Sequence, residues 1–547
     1  MGKANTKMSF VYAKALPDSK TESFTDVYKS PGCFELSYDK TLYSIFETAA
    51  NSFHDLPFVG YFDTVFKWIT YEQAFQMGKI LGQSLANIPK NPLAKCFIVG
   101  ICSGPRYENL IVDIALMSQS MASIFCGKFD DLEMILEKTQ VRIMFCEEKC
   151  VKNICKAKTK INHCKLKYLI LYNPLQDHTI QLIENSNLKP LLLSDLISSN
   201  PSLYLNTPKP NTPCSIFFSP SYSFTIINHH HIISTLEGMN LLKSNPNENY
   251  YSYINYSVFT ERILIYFLLK TGAKIAFGEN FIDSFDILNP TVLHLNRYFL
   301  KYFCVKAMNK TEVQKIKGQL NRVNFLVTSS PGIREEMIKM ICEKMVWRMI
   351  RIFGNYLCGA MIVSYNFDGD LNNSGGPIGG LEISIKTLPN LFCGRENSDF
   401  KGVLYAKGPS LSTFTLSLDI LDTGTQGIDT KMLCEISPHN GSLVYLADKY
   451  WVLESRNGET LMLQLIESVY LMTNKIQEIF VYEGYGKVLG VVIGCEDFEV
   501  DMEEFEYLLE KYERVQKWLF VDFTDVGYMP YYIARNEIYK RFLVNFM

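Results

Sequence analysis

Short, continuously apolar runs alternate with amphipathic stretches through the first part of the chain, and this pattern narrows the fold most. Phe97–Ile101 (FIVGI), the run opening at Ser123–Phe125, Val141–Cys146 (VRIMFC) and Lys167–Tyr172 (KYLILY) each read as a strand that is apolar on both faces. A strand without polar alternation has no face for water and must be covered on both sides. Asn109–Met121, between two of these runs, has helical periodicity. Buried strands alternating with helices predict an α/β fold with a largely parallel sheet under helices.

The texture changes twice further on. After Gly369, the glycines of Gly375-Gly376-Pro377, Gly379-Gly380 and Gly408-Pro409 punctuate short strands such as Leu381–Ile385 and Gly402–Ala406, which predicts a more antiparallel region. In the last hundred residues or so, Phe480–Tyr482 and Val488–Ile493 read as strands. Met502, Phe505, Leu508, Leu509, Tyr512 and Val515 fall on one helix face, so a small α+β domain is expected there. Residues 1–35 are polar without sustained periodicity and read as an extension.

Composition restricts the function classes. With 47% apolar and 20% charged residues the chain is globular, not collagenous, coiled-coil or disordered. A net charge of −3 argues against a nucleic-acid binder that relies on a strong net positive field and leaves only a local basic patch open. The 15 cysteines form no framework and no signal-peptide core opens the chain, so free thiols in a reducing compartment are expected. Ile263–Phe277, the most apolar stretch, is short and carries Lys270 and Lys274, which argues against a membrane span. Gly2 to Thr6 fits the M-G-x-x-x-[ST] acylation pattern, and a plain polar start is the preferred reading.

Generic site motifs add little. Cys146, Cys150, Cys155, His163 and Cys164 lack the paired spacing of a zinc site. His229-His230-His231 puts at most two imidazoles on one helix face and reads as a helix start. There is no G-x-x-x-x-G-K-[ST], G-x-G-x-x-G after a strand, G-x-S-x-G or H-E-x-x-H.

The order of longer landmarks says more. Phe66-Lys67-Trp68-Ile69-Thr70-Tyr71 precedes a helix, then Val99-Gly100-Ile101 and Pro105 to Glu108. Glu261-Arg262, Pro290-Thr291 with Asn296-Arg297, and Arg322-Val323 with Val327-Thr328-Ser329-Ser330-Pro331 follow. Phe353-Gly354, Gly375-Gly376-Pro377, Lys401-Gly402, Lys407-Gly408-Pro409, Gly458-Glu459 and Ile466-Glu467 complete the series. From about residue 40 to the end, the series resembles the long-chain fatty acyl-CoA synthetases of the adenylate-forming superfamily. The resemblance implies an adenylate-forming α/β fold. A large N-terminal region, residues 36–447, would hold two α/β subdomains and a β subdomain. A small mobile α+β domain, residues 448–547, would follow. It also implies the reaction: carboxylate and MgATP give acyl-AMP and pyrophosphate, and CoA then displaces AMP.

Several matched positions depart from the family. The phosphate loop falls on Ser219, Ser221 and Ser223, which keep hydroxyls but without the loop's glycines or lysine; His229 matches the histidine that follows. Phe353 and Gly354 match the adenine-stacking aromatic and its glycine, whereas Leu357 replaces the Mg²⁺-binding glutamate and has no oxygen to offer a hard cation. Glu435 matches the ribose-binding aspartate. Asp448 and Lys449 match the hinge Asp-Arg, and Gly458 and Glu459 follow in the CoA and hinge region. Ile533 replaces the catalytic lysine, with Arg535 the nearby cation. One lost transition-state donor costs about 3 kcal/mol, and such losses do not add simply.

The resemblance therefore implies ATP or AMP, CoA, and a fatty acid or acyl-CoA as ligands, with Mg²⁺ disfavoured. The favoured expectation is a catalytically impaired member that retains acyl, nucleotide or CoA binding in lipid metabolism. A divergent but active long-chain ligase is the alternative, as is a non-catalytic scaffold partnering an active homologue. A cytoplasmic setting is expected, including peripheral contact with the endoplasmic reticulum or another membrane.

Overall fold

The structure is a computed structural model. It describes residues 11–543 apart from 32–33, 63–64, 89–96, 128–131, 200–205, 219–223, 240–242, 279–284, 330–334, 346, 356–358, 366–373, 389–397, 413–426, 455–459, 473–475, 477, 485–486, 494–508, 510, 512, 522–534 and 536–537.

The apolar runs of the first part build a seven-stranded sheet. In spatial order its strands are Phe224–Asn228, Pro213–Phe218, Ala122–Cys126, Ile98–Cys102, Ile143–Cys146, Tyr168–Leu171 and Lys189–Leu192. All pair in parallel except the Phe224–Asn228 hairpin arm. Every residue of Ala122–Cys126 is buried, the environment its lack of alternation requires. The helix before it runs Tyr107–Met117 and stops short of Met121; Ser120 takes a positive φ where the chain turns into the strand. Cys146, Cys150 and Cys155 lie in a strand and helix of this unit, inside its apolar core.

A second sheet of nine strands has a parallel centre: Arg348–Asn355, Phe325–Thr328, Val292–His294, Asn249–Ser252, Lys274–Phe277 and Pro57–Phe62. Antiparallel arms extend it at both edges. Phe66–Thr70 forms one edge, and Thr70 then caps helix Tyr71–Asn87 reciprocally with Gln73. Helix Phe259–Lys270 is buried along its length except at Lys270, so it is a core element, and its polar Glu261 and Arg262 find buried partners. From it Arg262 reaches Asp113 at 3.4 Å and Ser215 at 2.5 Å, tying the two α/β units together. No helix among the described residues is long and apolar enough to cross a membrane.

The glycine-punctuated region forms a six-stranded antiparallel sheet: Lys14–Ala15, Tyr28–Lys29, Glu382–Thr387, Lys401–Lys407, Ile428–Ile436 and Leu443–Asp448. The reading of residues 1–35 as a bare extension is corrected here. Tyr12, Ala13 and Tyr28 are buried, and two short strands lengthen the sheet. A Cβ at Gly376 would stand 2.7 Å from the Tyr12 carbonyl oxygen, so this glycine admits the N-terminal segment.

Beyond Asp448 come the pair Val452–Glu454 and Thr460–Met462, helix Leu463–Tyr470, and a three-stranded sheet of Glu478–Gly484, Lys487–Ile493 and Lys517–Val521. Most of the stretch from Met502 to Val515 lies outside the described residues, although Leu509 and Val515 are buried. This part shares an apolar core with helix Arg297–Ala307: Ile466, Val469, Tyr470 and Ile479 cluster with Phe299, Leu300 and Phe303.

Candidate functional site

Four side chains meet at the end of strand Leu443–Asp448. Phe353 is only 7% exposed, and its ring stacks on Tyr445 at 5.4 Å and 17°. The Tyr445 hydroxyl donates to Gln464 Oε1 at 3.1 Å, and the Asp448 N–H donates to the same oxygen at 2.6 Å. Gln464 Nε2 donates in turn to Asp448 Oδ2 at 3.4 Å. Gln464 belongs to helix Leu463–Tyr470, so one side chain spans the junction. Burial pushes the Asp448 carboxyl up to about 6, against the opposing hydrogen bonds from Tyr445 and Gln464. Lys449 opens a short 3₁₀ turn, Lys449–Trp451, and is exposed.

Glu435 stands on the neighbouring strand. It pairs in register with Val444, while Cys434 pairs with Tyr445, which puts Glu435 one step from the aromatic stack. Lys401 lies opposite on the other side and forms an ion pair with Glu435 at 3.3 Å. Gly354 pairs with Ala360 beside a bulge that follows Phe353. The fold thus gathers Phe353, Gly354, Glu435, Asp448 and Lys449 near one corner. Ser219, Ser221, Ser223, Leu357, Gly458, Glu459 and Ile533 lie outside the described residues, as do Gly2 and Thr6.

Arg535, the cation near Ile533 in sequence, is engaged elsewhere in this arrangement. It is 1% exposed, sits over the rings of Trp451 at 4.7 Å and Tyr482 at 4.5 Å, and is ion-paired with Glu467. The other oxygen of Glu467 meets Arg297 at 2.8 Å, and Arg297 also contacts Glu478 at 2.7 Å and donates to the Ile479 carbonyl at 2.8 Å. Lys301 donates to the Leu471 carbonyl at 2.5 Å from the same helix. Burial pushes Glu478 up to about 7 although Arg297 pulls it down, and burial pushes Lys301 down to about 8. Arg297 and Glu467 both stood among the sequence landmarks, but nothing local indicated that they meet. Tyr445 and Gln464 were missed altogether, since neither has meaning without its partner across the junction.

His229 opens helix His229–Gly238, as the sequence predicts for the histidine run. It is fully buried and accepts the Leu42 N–H on Nδ1 at 3.2 Å. Burial holds its pKa down at about 3, so the imidazole is neutral near pH 7. The resemblance's Mg²⁺ ligand falls on Leu357, whose side chain has no donor atom, so the residue present does not fit this metal.

The fold is that of solved adenylation domains and CoA ligases. The adenylation domain of a carboxylate reductase from Mycobacterium chelonae superposes with a TM-score of 0.77 at 13% identity, over 93% of this chain and 90% of that one. An anthranilate CoA ligase in complex with anthranoyl-AMP gives 0.74 at 14%, over 94% and 99%. In sequence, the chain is similar to the long-chain fatty acyl-CoA synthetases. It is 22% identical to fatty acyl-CoA synthetase A of Dictyostelium discoideum, over 97% of this chain and 83% of the relative. It is also 22% identical to long-chain-fatty-acid–CoA ligase 5 of Rattus norvegicus, over 81% and 73%. No family model matches the chain.

Proposed function

We propose that this protein binds an acyl group together with an adenine nucleotide or CoA, and that it adenylates carboxylates poorly or not at all. The observation that carries the reading is the fate of Arg535. The cation nearest the position of the missing lysine is buried between two rings and neutralised by Glu467. Leu357 in place of a metal carboxylate and a serine loop without glycine or lysine support the same conclusion. Glu435 and the Phe353–Tyr445 stack support retention of the nucleoside end.

Calorimetry on the purified chain with MgATP, AMP and palmitoyl-CoA tests the proposal, alongside ATP–pyrophosphate exchange with palmitate. Binding of AMP or palmitoyl-CoA without exchange is expected. Robust exchange would instead establish a divergent, active ligase. If none of the three ligands binds, the scaffold reading takes its place. The proposed setting is cytoplasmic, peripheral on the endoplasmic reticulum or another membrane, beside an active acyl-CoA synthetase; co-fractionation and pull-down with such a synthetase test it.

A further inference from the structure

Three strands of the nine-stranded sheet end side by side. Ser252 closes Asn249–Ser252, His294 closes Val292–His294, and Ser329 directly follows Phe325–Thr328. Glu261, from the buried helix Phe259–Lys270, completes a line of side chains across these ends. Its Oε2 lies 2.6 Å from His294 Nδ1, and His294 Nε2 lies 3.1 Å from Ser329 Oγ. The Tyr250 hydroxyl donates to the Glu261 carboxylate at 2.7 Å and the Ser252 hydroxyl at 2.6 Å. Glu261 and His294 are both 0% exposed, whereas Ser329 is half-buried at the open end.

The chemistry follows from this order. An ionised carboxylate only accepts hydrogen bonds, so Glu261 holds the imidazole proton on Nδ1. Nε2 then carries the lone pair and faces the serine hydroxyl. Two further donors anchor Glu261, which fixes the ring plane. A hydroxyl, a base and a group orienting that base, each within hydrogen-bond reach of the next, form the arrangement that activates a serine nucleophile. The serine sits at the carboxyl end of a parallel strand, the edge where α/β sheets present their ligand sites. A purely structural Glu–His pair would have no need to end on a hydroxyl that solvent reaches.

We propose that Ser329 and His294, with Glu261 as positioning residue, form an acyl-transfer centre that hydrolyses an activated acyl group held as an ester or thioester. Ser329 Oγ attacks the carbonyl carbon while His294 Nε2 takes the hydroxyl proton. The bond to the alcohol or thiol breaks, and the leaving group receives that proton. Water, deprotonated by His294, then attacks the serine ester, and the released Ser329 oxygen recovers a proton from His294. The sum is ester or thioester plus water giving carboxylic acid plus alcohol or thiol, with no change of oxidation state. Neither nucleotide nor metal takes part, so this proposal stands or falls separately from the nucleotide-binding reading.

An alkyl fluorophosphonate, which phosphonylates activated serines with loss of fluoride, provides the test, together with p-nitrophenyl octanoate hydrolysis in the absence of ATP. One adduct mapping to Ser329 is expected. Ser329→Ala should abolish both the adduct and the hydrolysis while keeping the parent melting temperature. His294→Gln should slow both by about 10²-fold or more. Glu261→Asp should recover more rate than Glu261→Gln, which a residue needed only for folding would not produce. If the buried Glu261 variants fail to fold, Ser329→Ala and His294→Gln decide alone. An adduct elsewhere, no adduct, or labelling of His294→Gln at the parent rate would overturn the assignment.

Discussion

Replacing Arg297 by methionine should loosen the C-terminal part from helix Arg297–Ala307. The guanidinium is shared by Glu467 at 2.8 Å and Glu478 at 2.7 Å, and its side chain is 4% exposed. Without it Glu467 keeps Arg535, but Glu478 loses the cation that holds its pKa down. Breaking a buried pair by removing one partner costs roughly 3–5 kcal/mol. The pH dependence has a definite sign. Glu478 already has its folded pKa raised from 4.5 to about 7, so its contribution is fully present below 4.5 and is lost as pH rises through 7. In the variant the folded pKa lies higher still. At pH 6 the carboxyl is largely protonated in both folded proteins. At pH 8 only the variant still has to take up that proton or bury the charge, an added cost of about 1.4 kcal/mol for the unit between 7 and 8. Native-state hydrogen exchange on strand Glu478–Gly484 reads the difference directly. Protection should fall by about 3–5 kcal/mol at pH 8 and by less at pH 6. Removing the charges together, by Arg297→Met with Glu467→Gln and Glu478→Gln, should recover part of the loss. Unchanged protection, or the same loss at both pH values, would refute the reasoning.

Other consequences are as direct. Burial lowers His229 and His231 from 6.5 to about 3 each, so their contribution is intact above 6.5 and lost as pH falls toward 3. Urea stability should therefore decline by about 2.7 kcal/mol per pH unit near pH 5 from this pair, and His229→Gln with His231→Gln should flatten the slope. Gly82→Ala would set a Cβ 2.6 Å from the Ala115 carbonyl oxygen and force helices Tyr71–Asn87 and Tyr107–Met117 apart. A loss of about 1–3 kcal/mol, read by thermal melting, is expected. Asp448 has its folded pKa raised from 3.8 to about 6, so its contribution is present below 3.8 and lost as pH rises through 6. Asp448→Asn should accordingly leave stability unchanged near pH 4 and raise it at pH 8. Slower tryptic cleavage after the exposed Lys449 should accompany the gain at pH 8.

How much was legible from the sequence follows from the range over which each signal acts. Strand identity is local, since a run such as VRIMFC with no polar alternation must lie between covering layers, and Ile143–Cys146 does. The landmark from Phe66 to Tyr71 is followed by a helix in the sequence reading, and the structure begins one at Tyr71. The glycine-rich stretch forecast antiparallel strands because turns need those residues locally, and Glu382–Thr387 and Lys401–Lys407 pair that way. The N-terminal segment was misread because short polar strands become strands only when a sheet edge lies beside them.

Side-chain partnerships are a different matter. Glu261, Arg297, Ser329 and Glu467 were all visible as landmarks, yet periodicity gives no distance between residues of different elements. His294 attracted no notice, because a single histidine in an apolar strand carries no local signal. That Arg535 is a buried cation is decided only by the rings and carboxylate that close around it. Sequence alone determined the alternation of strands and helices, because that depends on which atoms each residue carries. Only the tertiary structure decided which of those residues touch, because register, sheet order and the docking of the C-terminal part bring together groups that the chain keeps far apart.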